Sequence, residues 1–194
     1  LGRLYMVAPG PDRDYAKAFE WLSKAAAQGD VGAQSNLGML YLRGLGRPRD
    51  FVKAAGWFGA AAMAGNAYAQ TNLGLMYASG RVLPRDSVVG YALLILSSIA
   101  LEPHGDVEGK TMRDREAVAG GMTPAQIGES EALAFQIQRD GMLRALKNRG
   151  SALPESMMDP SWVPPPPAPP ATVSPAAVDL TYQATHLARF PRKA

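Results

Sequence analysis

Apolar residues recur along this chain at helical spacing, in two patterns that follow one another. Over residues 33–43, Ala33, Leu37, Leu40 and Tyr41 fall on one stripe, the mark of a helix with one face in a core. The run Gly44-Leu45-Gly46-Arg47-Pro48 then predicts a turn, and Asp50 stands where a carboxylate can accept the free amides of a new helix. That second helix, residues 51–63, places Ala54, Trp57, Phe58 and Ala61 inward and ends at Ala64-Gly65.

The same two-helix pattern returns at a step of 36 residues without a gap: Leu1-Gly2, Leu37-Gly38 and Leu73-Gly74 are in register. So are Tyr5, Tyr41 and Tyr77, and the Arg-Asp pairs ending at Asp14, Asp50 and Asp86. Trp21 repeats as Trp57, Lys17 as Lys53, Gly29 as Gly65, and Ala33-Gln34 as Ala69-Gln70. A helix pair this short cannot bury its own apolar face. The pairs must stack, which gives an all-α solenoid of about three units with a curved inner surface. Gly2, Gly38 and Gly74 each cost about 1 kcal/mol against Ala inside a helix, so they predict places where backbones touch.

The pattern A-x-x-x-L-G-x-x-Y, a glycine turn, D-x-x-K-A-x-x-W and A-A-x-x-G resembles the Sel1-like repeat, a relative of the tetratricopeptide repeat. It is met in full from Ala33 through Gly65. Residues 1–30 supply a unit that begins inside its first helix, and residues 69–100 a degenerate third. In that third unit the lysine becomes Val89 and the tryptophan becomes Leu93, leaving it greasier than a middle repeat. The resemblance implies protein–protein scaffolding, often in bacterial envelope or secretion contexts, and implies no reaction. It also marks the segment from Met122 to Ser130 as similar to the closing helix of many bacterial members.

Residues 88–101 form the longest apolar run, 14 residues, whereas a membrane-spanning helix needs about 20. They are expected to be a buried helix, and no membrane span is expected. Residues 109–119 predict a short charged helix. Thr123-Pro124-Ala125-Gln126 is a capping box with proline at the first helical position. It opens a helix to Arg139, with a further turn or two to Arg149, as a C-terminal cap. The expected organisation is therefore a solenoid over 1–105, capping helices over 106–150 and a Pro-rich extended tail over 151–194. Ten of the 16 prolines lie from Pro154 to Pro191, a composition that favours polyproline II over a core. The tail is expected to be a spacer, with docking of Trp162-Val163 and of residues 180–190 as the other reading.

Composition narrows the chemistry. Twenty Lys and Arg stand against 17 Asp and Glu, scattered singly, for a net charge of +3, which argues against a nucleic-acid partner. With no cysteine, disulfides, thiolate catalysis and Cys-based metal sites are excluded; the cysteines that staple some members of the resembled family are likewise missing. His104 with Asp106 and Glu108 is too thin a set for a metal and is better taken as a solvated turn. No nucleophile–base motif, zinc motif or phosphate loop is present. The expectation is a protein without catalysis, cofactor or metal. The first residue is Leu1, so the native N-terminus, and any signal peptide, is expected to lie outside these residues.

What is left is a surface. On the first helix of each unit the residues opposite the core stripe form columns at the same step: Arg3, Met39 and Leu75; Met6, Leu42 and Ala78; Ser35 and Thr71. These are the candidate protein-binding residues, with packing of Met39 and Leu75 between repeats as the competing reading. Tyr5, Tyr41 and Tyr77 fall on the apolar stripe and belong to the core. The expected function is a non-catalytic adaptor whose concave face binds a protein, either a toxin or effector or a signalling protein. A cognate inhibitor (immunity protein) of a secreted toxin is one such role, and a regulatory or envelope-assembly scaffold an equal one. A hydrolase or cell-wall-binding protein is the alternative from another class. The expected location is periplasmic, with the cytoplasm as alternative.

Overall fold

A computed structural model describes residues 1–7, 14–101 and 109–150. Among them are nine helices: α1 (Gly2–Val7), α2 (Tyr15–Ala27), α3 (Val31–Arg43), α4 (Phe51–Met63), α5 (Ala67–Ser79), α6 (Ser87–Leu101), α7 (Lys110–Ala119), α8 (Pro124–Asp140) and α9 (Met142–Arg149). Three antiparallel pairs, α1–α2, α3–α4 and α5–α6, stack in chain order, each second helix also packing on the first helix of the next pair. Neither the run at 88–101 nor any other described segment is a strand; the run lies within α6, buried along most of its length.

The repeated residues build the same joints in each unit. The Lys17 and Lys53 amides donate to Asp14 and Asp50 Oδ1, each at 2.9 Å, and the Val89 amide donates to Asp86 Oδ1 at 3.0 Å. These aspartates cap orphan amides at the start of each second helix. Their own amides donate back to the Tyr5, Tyr41 and Tyr77 carbonyls at 3.2, 3.0 and 3.0 Å, so each Tyr–Asp pair ties the end of one helix to the start of the next. Gly44 and Gly80 end α3 and α5 in the left-handed region, at φ 69° and 66°, which glycine alone adopts cheaply.

The three in-register glycines do different things. A Cβ on Gly38 would meet the Phe58 ring at 2.7 Å, and one on Gly2 the Leu22 side chain at 2.7 Å, so in units one and two a large side chain fills the space. Backbone comes closest in unit three, a Cβ on Gly74 meeting the Gly90 carbonyl at 2.8 Å, and next in unit one, where a Cβ on Gly2 would also lie 3.1 Å from the Leu22 amide nitrogen. The expected backbone contact thus holds in units one and three, and in unit two the Phe58 ring takes the space.

Burial follows the neighbours. Trp57 is 3 % exposed, whereas its counterpart Trp21 is 42 % exposed. Helix α1 is described over six residues and α3 over 13. Beyond unit three, α7 and α8 both pack on α6, and α9 packs on α8, burying Leu133, Ala134, Ile137, Met142, Ala145 and Leu146. Helix α8 opens with the reciprocal Thr123–Gln126 capping box. These helices cover the side of α6 that a further repeat would cover. The Pro-rich segment, the His104-Asp106-Glu108 set and His186 lie outside the described residues.

Candidate protein-binding surface

The first helices form a row. Each touches its counterpart in the next unit, α1 to α3, α3 to α5 and then α5 to α7.

Burial along α3 and α5 separates the candidates. Tyr68, Asn72, Leu75 and Ser79 are spaced i, i+4, i+7, i+11, and all are exposed or half-buried while Leu73, Gly74, Met76 and Tyr77 are buried. The same stripe on α3 is Gly32, Asn36, Met39 and Arg43, and on α1 it is Arg3 and Val7. Arg3, Met39 and Leu75 therefore share the outward stripe of the first helices. Arg3 is exposed; Met39 and Leu75 are half-buried, and Met39 also packs against the core. The other two columns turn toward the sides. Met6 and Leu42 are half-buried and pack on the core, and Ala78 and Ser35 are half-buried. Thr71 is buried, its hydroxyl 2.6 Å from the Ser97 hydroxyl and 3.2 Å from the Ala67 carbonyl, which ties α5 to α6 and leaves it little to offer a partner.

Residue-pattern reasoning passed over Tyr68, Asn36 and Asn72. Tyr68 is 57 % exposed, and Asn72 Nδ2 donates to the Tyr68 carbonyl at 2.7 Å. The asparagines recur at the repeat step and could have been found that way; Tyr68 stands in register with Gly32 and had no column to reveal it. An exposed tyrosine beside amides and an aliphatic side chain gives apolar area with fixed hydrogen-bonding groups, the make-up of protein-recognition patches.

Flanking the stripe is a ladder of tyrosines and cations. Lys17 Nζ is 3.3 Å from Asp14 Oδ2 and lies over the Tyr5 ring, 5.8 Å from its centroid; Lys53 repeats this with Asp50 at 3.4 Å and Tyr41 at 5.5 Å. Burial pushes the Tyr41 phenol up, and pushes the deeper Tyr77 up to about 12. In unit three Val89 replaces the lysine, and the cation comes from Arg149 of α9 instead, Nε 3.3 Å from Asp86 Oδ2 with Nη1 on Glu129 Oε1. A cleft of about 780 Å³ opens there, with Tyr77, Arg85, Asp86, Glu129, Gln136 and Arg149 among its lining.

Among the described residues no group of three or more His, Cys, Asp or Glu is arranged to hold a metal ion, and no helix is long and apolar enough to cross a membrane.

Residues 1–30, 31–66 and 67–98 match the Sel1 repeat. The chain belongs to the Sel1 repeat family. A solved structure similar to it is a protective antigen present in uropathogenic Escherichia coli strains, described as displaying an SLR fold: TM-score 0.62 at 30 % identity over 79 % of this chain and 33 % of that one. A Sel1 repeat protein from Oxalobacter formigenes matches at TM-score 0.51 and 24 % identity, over 70 % of this chain and 55 % of that one, a likeness of fold. This chain thus spans about a third and about half of the lengths of these two Sel1 neighbours. No curated protein matches it. Sel1 repeats generally mediate protein–protein interaction, on a fold that is typically a non-catalytic scaffold.

Proposed function

We propose that this Sel1 repeat chain is a non-catalytic adaptor that holds a partner protein on the inner face of α1, α3 and α5. The observation that carries the reading is the stripe in register from unit to unit: Arg3, then Asn36 and Met39, then Tyr68, Asn72 and Leu75, outward-facing on three neighbouring helices. A rigid scaffold presenting aromatic, aliphatic and amide groups at fixed spacing loses little freedom on binding, the condition under which modest contact area becomes affinity.

Tyr68→Ala with Leu75→Glu is the test. A carboxylate at an interface must be desolvated, at a cost of several kcal/mol, whereas Tyr68 is mostly in water in the free protein. The variant should keep its helical circular dichroism and lose the partner in a pull-down from the native host. A folded variant that retains the partner would move the contact elsewhere.

Within this class we propose a toxin or effector as the partner, in the manner of an immunity protein; a regulatory or envelope-assembly scaffold would capture a signalling or envelope protein in the same experiment. We also propose a periplasmic site of action, on the envelope contexts that Sel1-like proteins often occupy. Fractionation of the native host should find the protein with periplasmic markers, and its recovery with the cytosol would overturn that location.

A further inference from the structure

Around the first helices and the turns that follow α3 and α5, cations outnumber carboxylates. Helices α1, α3 and α5 carry Arg3 and Arg43 and no carboxylate. The turns that follow α3 and α5 add more arginines, Arg81 and Arg85 among them, both exposed. The carboxylates on these turns are Asp50 and Asp86, each already capping a helix and paired with a cation, Lys53 and Arg149 respectively. The opposite edge, where second helices turn back to first ones, carries Gln28-Gly29-Asp30 and Ala64-Gly65-Asn66 and no arginine. The positive field thus belongs to one edge of the solenoid and to the stripe beside it. Surface charge of one sign beside an apolar stripe raises the encounter rate with an oppositely charged chain and disfavours a like one.

We propose that the partner segment held on this face is acidic: a stretch of polypeptide whose Asp or Glu side chains lie along Arg3, Arg43, Arg81 and Arg85 while its apolar side chains meet Tyr68 and Leu75. Arginine suits this role because its planar fork donates two parallel hydrogen bonds to a carboxylate. The asparagine and tyrosine groups of the stripe add neutral donors. This inference rests on the reading of the inner face as a protein-binding surface and specifies the chemistry of what binds there.

The experiment is selection of random 16-residue peptides displayed on phage against the full chain, with Arg81→Glu/Arg85→Glu and Tyr68→Ala/Leu75→Glu as parallel baits. Circular dichroism checks each bait for folding. The expected result is enrichment of Asp and Glu over the starting library, with affinity about tenfold weaker for the arginine variant at ordinary salt and falling steeply as salt is raised. Neutral or basic peptides that depend on Tyr68 and Leu75 would overturn this proposal and leave the binding face standing. Absence of any enrichment would overturn both. A random single-stranded DNA pool run alongside gives the remaining arm: binding stronger than any selected peptide, and lost in Arg81→Glu/Arg85→Glu, would assign the charged edge to nucleic acid and overturn the proposal. If the arginine variant fails to fold, the wild-type peptides decide: affinity unchanged between low and high salt contradicts an acidic ligand.

Discussion

Arg149 Nε lies 3.3 Å from Asp86 Oδ2 and supplies from α9, the last helix among the described residues, the cation that Lys17 and Lys53 supply from within the first two units. Val89, in the lysine position, is fully buried, because α6 packs against helices on more than one side and has no exposed face left for an ammonium there. The array therefore closes through a side chain far along the chain, and this bears on how its end comes apart.

Replacing Arg149 with Ala should loosen the cap selectively. Both ends of the Asp86 pair are about three-quarters buried while Glu129 is half-exposed, so the expected loss is about 1–2 kcal/mol, above that of a surface pair. Hydrogen exchange reads it: amides in α8 and α9 should lose protection first, those in α3 and α4 last. Uniform loss across the chain would mean the cap has no stability of its own to lose.

Trp57 and Trp21 should part company. Trp57→Ala removes a large buried ring and should cost about 3–5 kcal/mol, with unfolding that spreads to neighbouring units. Trp21→Ala, at 42 % exposure with Lys24 over its ring at 5.1 Å, should cost about 1 kcal/mol. Denaturant titration compares them, and equal losses would contradict the burial difference.

Alkaline pH should unfold the protein through Tyr77. Its phenol is pushed by burial from the ordinary 10.0 to about 12. A pKa raised in the fold means the neutral form is favoured there. The stability it contributes is complete below pH 10 and is lost as pH climbs toward 12. Tyrosinate absorbance at 295 nm should therefore show one slow-titrating tyrosine that ionises with the loss of helix, and Tyr77→Phe should abolish that phase. Ionisation of Tyr77 with the helical signal intact would contradict its burial.

What the sequence made legible is what local pattern and the repeat step carry. The bounds of α4 and its Asp50 cap followed from the local helical stripe, the matching caps Asp14 and Asp86 from the 36-residue step, and the buried helix over 88–101 from the length of its apolar run. Tyr68 escaped because its column partner is Gly32, and a single occurrence leaves no periodic trace. Trp21 and Trp57 looked alike because identity of sequence carries no information on what packs around each ring, 42 % and 3 % exposed. Thr71 looked available on helical phase alone, but Ser97, 26 residues on, takes its hydroxyl. The role of Arg149 depends on a contact 63 residues away, and no local pattern encodes it.

The central claim, that a partner protein occupies the inner face, is tested most directly by a photo-reactive amino acid placed one position at a time in the full chain. Positions 68, 72 and 75 sample the inner stripe; Glu20 and Val52, both exposed on second helices, sample the outside. After irradiation in the native host, adducts are sized on gels and the attached peptide identified by mass spectrometry. The account predicts one partner cross-linked at 68, 72 and 75 and absent at 20 and 52. Cross-links at 20 and 52 with none on the inner stripe would contradict it.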